Sequence, residues 1–197
     1  MDFDTTYNVT LSSDECLEYG IVYGNENIVF IKSGAGGTAR GYKDKYVTMA
    51  RRLYERGNFT VISAPNPITE KMTYDIDELI INKIINDKKF DNYTINLIGS
   101  SNGGYQNILL AEKLSSVKKM ISINMPLMLN FQKATTKLMS LNAVEKIFVY
   151  GTLDPSFPFT PLLNARKINK LNILTIEGAD HQFVNKLNEF IDLCDLV

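Results

Sequence analysis

Tyr93-Thr94-Ile95-Asn96-Leu97-Ile98 runs directly into Gly99-Ser100-Ser101-Asn102-Gly103-Gly104. The first six residues form an apolar run of strand length, and the next six break it with three glycines and two serines. Gly99 and Gly103 stand two residues either side of Ser101, a G-x-S-x-G frame that Ser100 does not share. This frame fits a sharp strand-to-helix turn that strains the serine backbone, exposes its hydroxyl and needs small neighbours. Gly103 and Gly104 so early in a helix, expected over Asn102 to Leu114, each cost about 1 kcal/mol relative to alanine. They therefore need a reason. Close packing alone, or a phosphate cradle on a helix N-terminus, would supply another. Neither G-x-x-x-x-G-K-[ST] nor a convincing G-x-G-x-x-G with its acidic partner accompanies the turn, so a nucleotide site has little support.

Working outward, short apolar runs alternate with helical patterns. Tyr7 to Leu11 and Glu18 to Tyr23 read as an opening antiparallel pair, and Asn27 to Ile31 as a strand. Tyr46, Val47, Ala50, Leu53 and Tyr54 recur at helical spacing between Lys43 and Arg56, and Gly57 stops that helix. Phe59 to Ser63 is the next strand, then a helix from Tyr74 to Asn86 and the strand from Tyr93 to Ile98. Strands follow at Met120 to Asn124, Lys146 to Tyr150 and Asn172 to Ile176, and a last helix runs from Gln182 to Leu193. The alternation predicts an α/β protein with a mostly parallel central sheet covered by helices on both faces. No linker divides the chain, so one domain over residues 1–197 is expected.

In such a sheet reactive groups gather at the carboxyl ends of strands, and three candidates fall there. Ser101 follows one strand, Asp154 follows Tyr150-Gly151, and His181, the only histidine, follows the strand ending at Ile176. A serine hydroxyl is a weak nucleophile until a base takes its proton, and an imidazole held by a carboxylate is the usual base. Asp154 is the expected acid, with Glu177 as the fallback; Asp180 is adjacent to His181 but poorly placed to orient its ring. The plainer readings are an Asp154-Pro155 turn and an ordinary loop histidine. Acyl transfer also needs two donors aimed at the developing oxyanion. The backbone N–H of Asn102 is one, and the glycine-dense loop Ser33-Gly34-Ala35-Gly36-Gly37 offers the other, assigned to Ala35, unless that loop is simply flexible surface. Arg40 lies just past that loop, either to bind a substrate carboxylate or as an exposed side chain.

Together these segments resemble the α/β-hydrolase superfamily from Tyr7 to Leu193. Its oxyanion loop is matched by Ser33 to Thr38, its nucleophile elbow by Gly99 to Gly103, its acid turn by Gly151 to Asp154 and its base loop by Gly178 to His181. The order Ser…Asp…His is that of this superfamily. Ser33 stands where the loop commonly has histidine. The family often inserts a cap after the strand ending near Asn124, but only Met125 to Val144 is present there, a minimal cap at most. Phe131, Leu138 and Met139 either line an apolar pocket beside Ser101 or belong to a packed helix. The resemblance implies a serine hydrolase acting through an acyl-enzyme on Ser101, on a small-molecule ester or thioester. A peptidase or amidase of the same fold, or a hydrolase-like binding protein without turnover, are the alternatives.

Composition excludes several other classes. A formal net charge of −1 leaves no electrostatic footprint for nucleic acid or an anionic membrane. Cys16 and Cys194 are too few and too far apart for a zinc cluster or a disulfide framework, so free thiols are expected. No cofactor or metal is expected, and no run reaches the roughly 18 apolar residues of a membrane helix. Met1 to Thr6 carries neither a basic nor an apolar signal region. A soluble, cytoplasmic protein is the expectation.

Overall fold

Along the strand Asn25–Lys32 (β3) the side chains divide between two cores: Ile28 and Phe30 enter one, Val29 and Ile31 the other. That is the period of two of a strand whose faces are both covered. The computed structural model describes residues 1–11, 16–69 and 71–197. Around β3 lie Thr5–Thr10 (β1), Cys16–Val22 (β2), Phe59–Ala64 (β4), Thr94–Ser100 (β5), Val117–Ile123 (β6), Glu145–Gly151 (β7) and Leu171–Ile176 (β8). They form one sheet in the order β1-β2-β4-β3-β5-β6-β7-β8. β1 and β2 are antiparallel, as is the β2–β4 pair, and every pair from β4 to β8 is parallel.

The helices cover both faces. On one side pack Tyr74–Lys88 (α2), Asn102–Ala111 (α3), Phe131–Ser140 (α4) and Thr160–Ala165 (α5), through Ile80, Ile84, Ile108, Leu110, Leu138 and Leu163. On the other pack Lys45–Gly57 (α1) and Leu187–Asp192 (α6), through Tyr46, Met49, Leu53 and Phe190. β3 lies between β4 and β5, so the chain winds one way and then the other from it. That reversal opens a crevice at the carboxyl ends of β3 and β5. The expected oxyanion loop and serine turn leave those two strands. Among the described residues, no helix is long and apolar enough to cross a membrane. Cys16 is exposed and Cys194 buried, and neither is in a disulfide.

One expectation needs correction. The last helix does not begin at Gln182: residues 182–186 are non-helical, and α6 starts at Leu187. The Asp180 carboxylate accepts the N–H groups of Gln182 and Val184, both at 3.1 Å, and Phe183 takes φ 56°. This local bonding competes with helix formation. Phe183 is thereby turned into the core, edge-on to Phe190. Met125 to Val144, for which a short lid and a packed helix were both open, supplies none of the residues that line the cleft beside Ser101. It contains α4, which packs against α3, with Leu138 fully buried and Met139 exposed. Phe131, Leu138 and Met139 belong to a packed helix.

A buried ion pair, invisible to hydrophobic patterning, braces the start of α2. Lys32 and Asp77 are fully buried, with Lys32 Nζ 2.7 Å from Asp77 Oδ2. The ammonium also donates to the Pro65 carbonyl and the Thr73 hydroxyl, and the Tyr19 hydroxyl donates to Asp77. Burial pushes the carboxyl up and the ammonium down, while each partner's charge opposes the shift. Removing one partner strands the other charge, whereas removing both need not. Lys32→Met is expected to lower stability by about 3–5 kcal/mol in urea unfolding. Lys32→Met with Asp77→Leu should cost clearly less; an equal or larger loss would contradict the account of this pair.

Candidate active site

Ser101 sits between β5 and α3 with φ 52° and ψ −125°, a strained backbone costing of order 1–3 kcal/mol. Its N–H donates to the Ile123 carbonyl at 2.7 Å and its own carbonyl accepts the Gly104 N–H at 3.0 Å. The flanking glycines answer to space. A Cβ on Gly99 would lie 2.6 Å from the Gly104 Cα, and one on Gly103 would lie 2.4 Å from the Ser33 carbonyl oxygen. The first position lets α3 close on β5. The second lets α3 touch the loop after β3.

Ser101 Oγ is 2.9 Å from His181 Nε2, and His181 Nδ1 is 2.5 Å from Asp154 Oδ2. A carboxylate only accepts, so Nδ1–H donates to Asp154; in the neutral ring Nε2 then accepts the serine hydroxyl proton. Asp154 is buried, its second oxygen accepting the Ser156 N–H at 2.7 Å. Glu177 is exposed and makes no hydrogen bond to the ring. Asp180 holds the loop backbone instead, as above.

The loop after β3 lines the same cleft. Ser33, Gly36 and Gly37 spend their N–H groups on Ala64, Asn66 and Gly34 carbonyls. The Gly34 N–H faces the buried Tyr46 hydroxyl, whose pKa burial pushes up to about 12 despite that donor and the Ser100 hydroxyl. Ala35 is left with an N–H that has no acceptor among the described residues, and so is Asn102 at the first position of α3. Arg40 is committed elsewhere, paired with Asp2 at 2.7 Å and Asp44 at 2.8 Å.

Several contributors escaped the sequence reading. Asn124, fully buried at the end of β6, donates to the Asp180 and His181 carbonyls at 2.9 and 3.2 Å and accepts the Gly151 N–H at 2.9 Å. It ties the loop carrying His181 to the strand that leads to Asp154. Gln106 donates to Asn66 at 2.6 Å and to Asn102 at 2.9 Å, and the Asn66 amide donates to the Ser33 carbonyl, coupling α3 to the loop after β3. Lys45 lines the cleft while only 7% exposed. Its one signal was a charge within the apolar stripe of α1. The cleft holds about 450 Å³, between the loop from Ser33 to Gly37, Tyr42, Lys45 and Tyr46 near the start of α1, and Ser101, His181 and Gln182. Among the described residues, no group of three His, Cys, Asp or Glu side chains is placed to hold a metal ion.

No family model matches the chain, and no curated protein matches it by sequence. Solved structures do. An α/β serine hydrolase homologue from Coxiella burnetii superposes with a TM-score of 0.71 at 16% identity, over 98% of this chain and 97% of that one. A dienelactone hydrolase from Anabaena variabilis gives 0.72 at 15%, over 98% and 95%. A lidless α/β serine hydrolase from Xanthomonas campestris gives 0.68 at 14%, over 98% and 92%. At these identities the likeness carries the architecture: the chain has the α/β-hydrolase fold.

Asn124→Ala removes three hydrogen bonds at a fully buried site. A stability loss of roughly 1–3 kcal/mol is expected in urea unfolding. Amide exchange should also rise around residues 178–183; unchanged exchange there would contradict the clamping role.

Proposed function

We propose that this chain is a serine hydrolase that cleaves a small to moderate ester or thioester through an acyl-enzyme on Ser101. The observation that carries the reading is the continuous contact from Ser101 Oγ through the His181 ring to the buried Asp154 carboxylate, 2.9 and 2.5 Å, opening on a cleft.

Ser101 Oγ attacks the acyl carbon as His181 Nε2 takes its proton, and Asp154 fixes the ring and offsets the imidazolium charge. The carbonyl oxygen becomes an oxyanion that accepts the N–H groups of Asn102 and Ala35, a contact that strengthens only as the charge develops. Collapse of the intermediate expels the alkoxide or thiolate, which takes the proton from His181. Water then gives a proton to Nε2 and attacks the acyl-enzyme. Its oxygen joins the acyl carbon, the serine oxygen leaves with the proton from His181, and the free acid departs. The strained turn presents Oγ to the cleft without cost at the moment of reaction.

Ser101→Ala and His181→Ala should each lower kcat for p-nitrophenyl butyrate by about 10³ or more, because such residues act as a unit. Asp154→Asn should lower it by a similar order, having lost the acceptor that sets the tautomer. Near-normal turnover in the His181 variant would overturn the reading. So would faster cleavage of the matching anilide than of the ester.

A further inference from the structure

One ammonium group in the cleft has no charge partner. Lys45 opens α1, is 7% exposed and lines the same cleft as Ser101 and His181. Among the described residues, no carboxylate lies within ion-pairing distance of its Nζ, and no acceptor is hydrogen-bonded to it. Its neighbours are rings: Nζ stands 3.8 Å from the Phe190 ring centre and 5.1 Å from that of Tyr46. Such contacts soften the loss of water around a cation but do not replace an anion. The cost shows in the ammonium's pKa, which burial brings down to about 8.

The backbone adds to the same field. Lys45 begins a helix of 13 residues whose preceding residue, Asp44, makes no side-chain cap. The Asp44 carboxylate pairs with Arg40 instead, at 2.8 Å. The Lys45 and Tyr46 N–H groups already donate to the Tyr42 and Arg40 carbonyls, so the helix adds only its dipole, and the group left for a bound anion is the buried ammonium. Every other lysine or arginine with an ion pair spends it at the surface, or, for Lys32, inside the core. Carrying a bare ammonium into a cleft is costly unless a ligand completes it.

We propose that the Lys45 ammonium forms an anion subsite in the cleft, so that the preferred substrates are esters or thioesters bearing a carboxylate. This rests on the hydrolase reading above and adds the substrate class to it. A single ammonium matches a monoanion. The about 450 Å³ cleft accommodates a short chain between the reacting carbonyl and that carboxylate.

Matched pairs of aryl esters test the idea: p-nitrophenyl hemiglutarate against p-nitrophenyl valerate for an acyl-side carboxylate, and 4-carboxyphenyl against phenyl acetate for the alcohol side. The unmodified protein should favour the charged member of at least one pair by about tenfold in kcat/KM, the scale of one charge-assisted contact. Lys45→Met, which keeps the length of the side chain, should erase that preference. Lys43→Met, on the exposed turn before α1, should leave the preference in place. Turnover of the neutral esters with no preference in either pair would overturn the anion subsite and leave the hydrolase reading standing. So would an equal loss in both lysine variants, which would assign the effect to general surface charge. No Ser101-dependent turnover of any ester would overturn the reading itself. Because the unmodified protein alone reports the preference, a Lys45 variant that fails to fold does not shelter the proposal.

Discussion

His181 has to reach across the sheet. It leaves β8, and Ser101 leaves β5, with β6 and β7 between them. At roughly 4.8 Å per strand, that is about 14 Å to bridge with a loop and one imidazole. The chain closes the distance in steps. Asp154 leaves the intervening β7 and supports the ring, and Asn124, at the end of β6, holds the two carbonyls at positions 180 and 181. Asp180 turns the loop back on itself, and Phe183 anchors it in the core. Each link is a hydrogen bond or a buried ring. Together they place an imidazole where no regular element would put it.

The opposite wall of the cleft depends on buried polar contacts. The pair Lys32–Asp77 bonds Pro65 and Thr73, and the Thr73 N–H donates to Gln106 on α3. Gln106 holds Asn66 and Asn102, while Asn66 holds the loop after β3 through backbone and side chain. One connected set of bonds thus runs from the core beneath α2 to the two N–H groups assigned to the oxyanion. Buried polar groups are costly when unpaired, so this network is rigid, and rigidity is what an electrostatic site requires. The strain at Ser101 is tolerated for the same reason: Gly104, Ile123 and the packed glycines over-determine that turn.

Much of the architecture was legible in the sequence because apolar periodicity reports burial directly. All eight strands occupy the expected regions, and α1, α2 and α3 differ from expectation only at their ends. The residues singled out at positions 101, 154 and 181 meet in one place, since glycine spacing, a strand end and a lone histidine are local signals. The remainder was hidden for physical reasons. α5 has only six residues, and a proline within its first turn. α6 starts late because Asp180 bonds backbone that a helix would have used. The partners of Asn124 lie 27, 56 and 57 residues away, and those of Lys32 as far as 45, separations across which no periodicity speaks. Lys45 was masked by the amphipathic stripe around it.

The central claim is that the Ser101 hydroxyl is made nucleophilic by His181. It is tested most directly by treating the protein with a fluorophosphonate and mapping the adduct by peptide mass spectrometry. The account predicts a single adduct on Ser101, formed far more slowly in His181→Ala and absent in Ser101→Ala. An adduct on another residue, or labelling of Ser101 at the same rate without the imidazole, would contradict it.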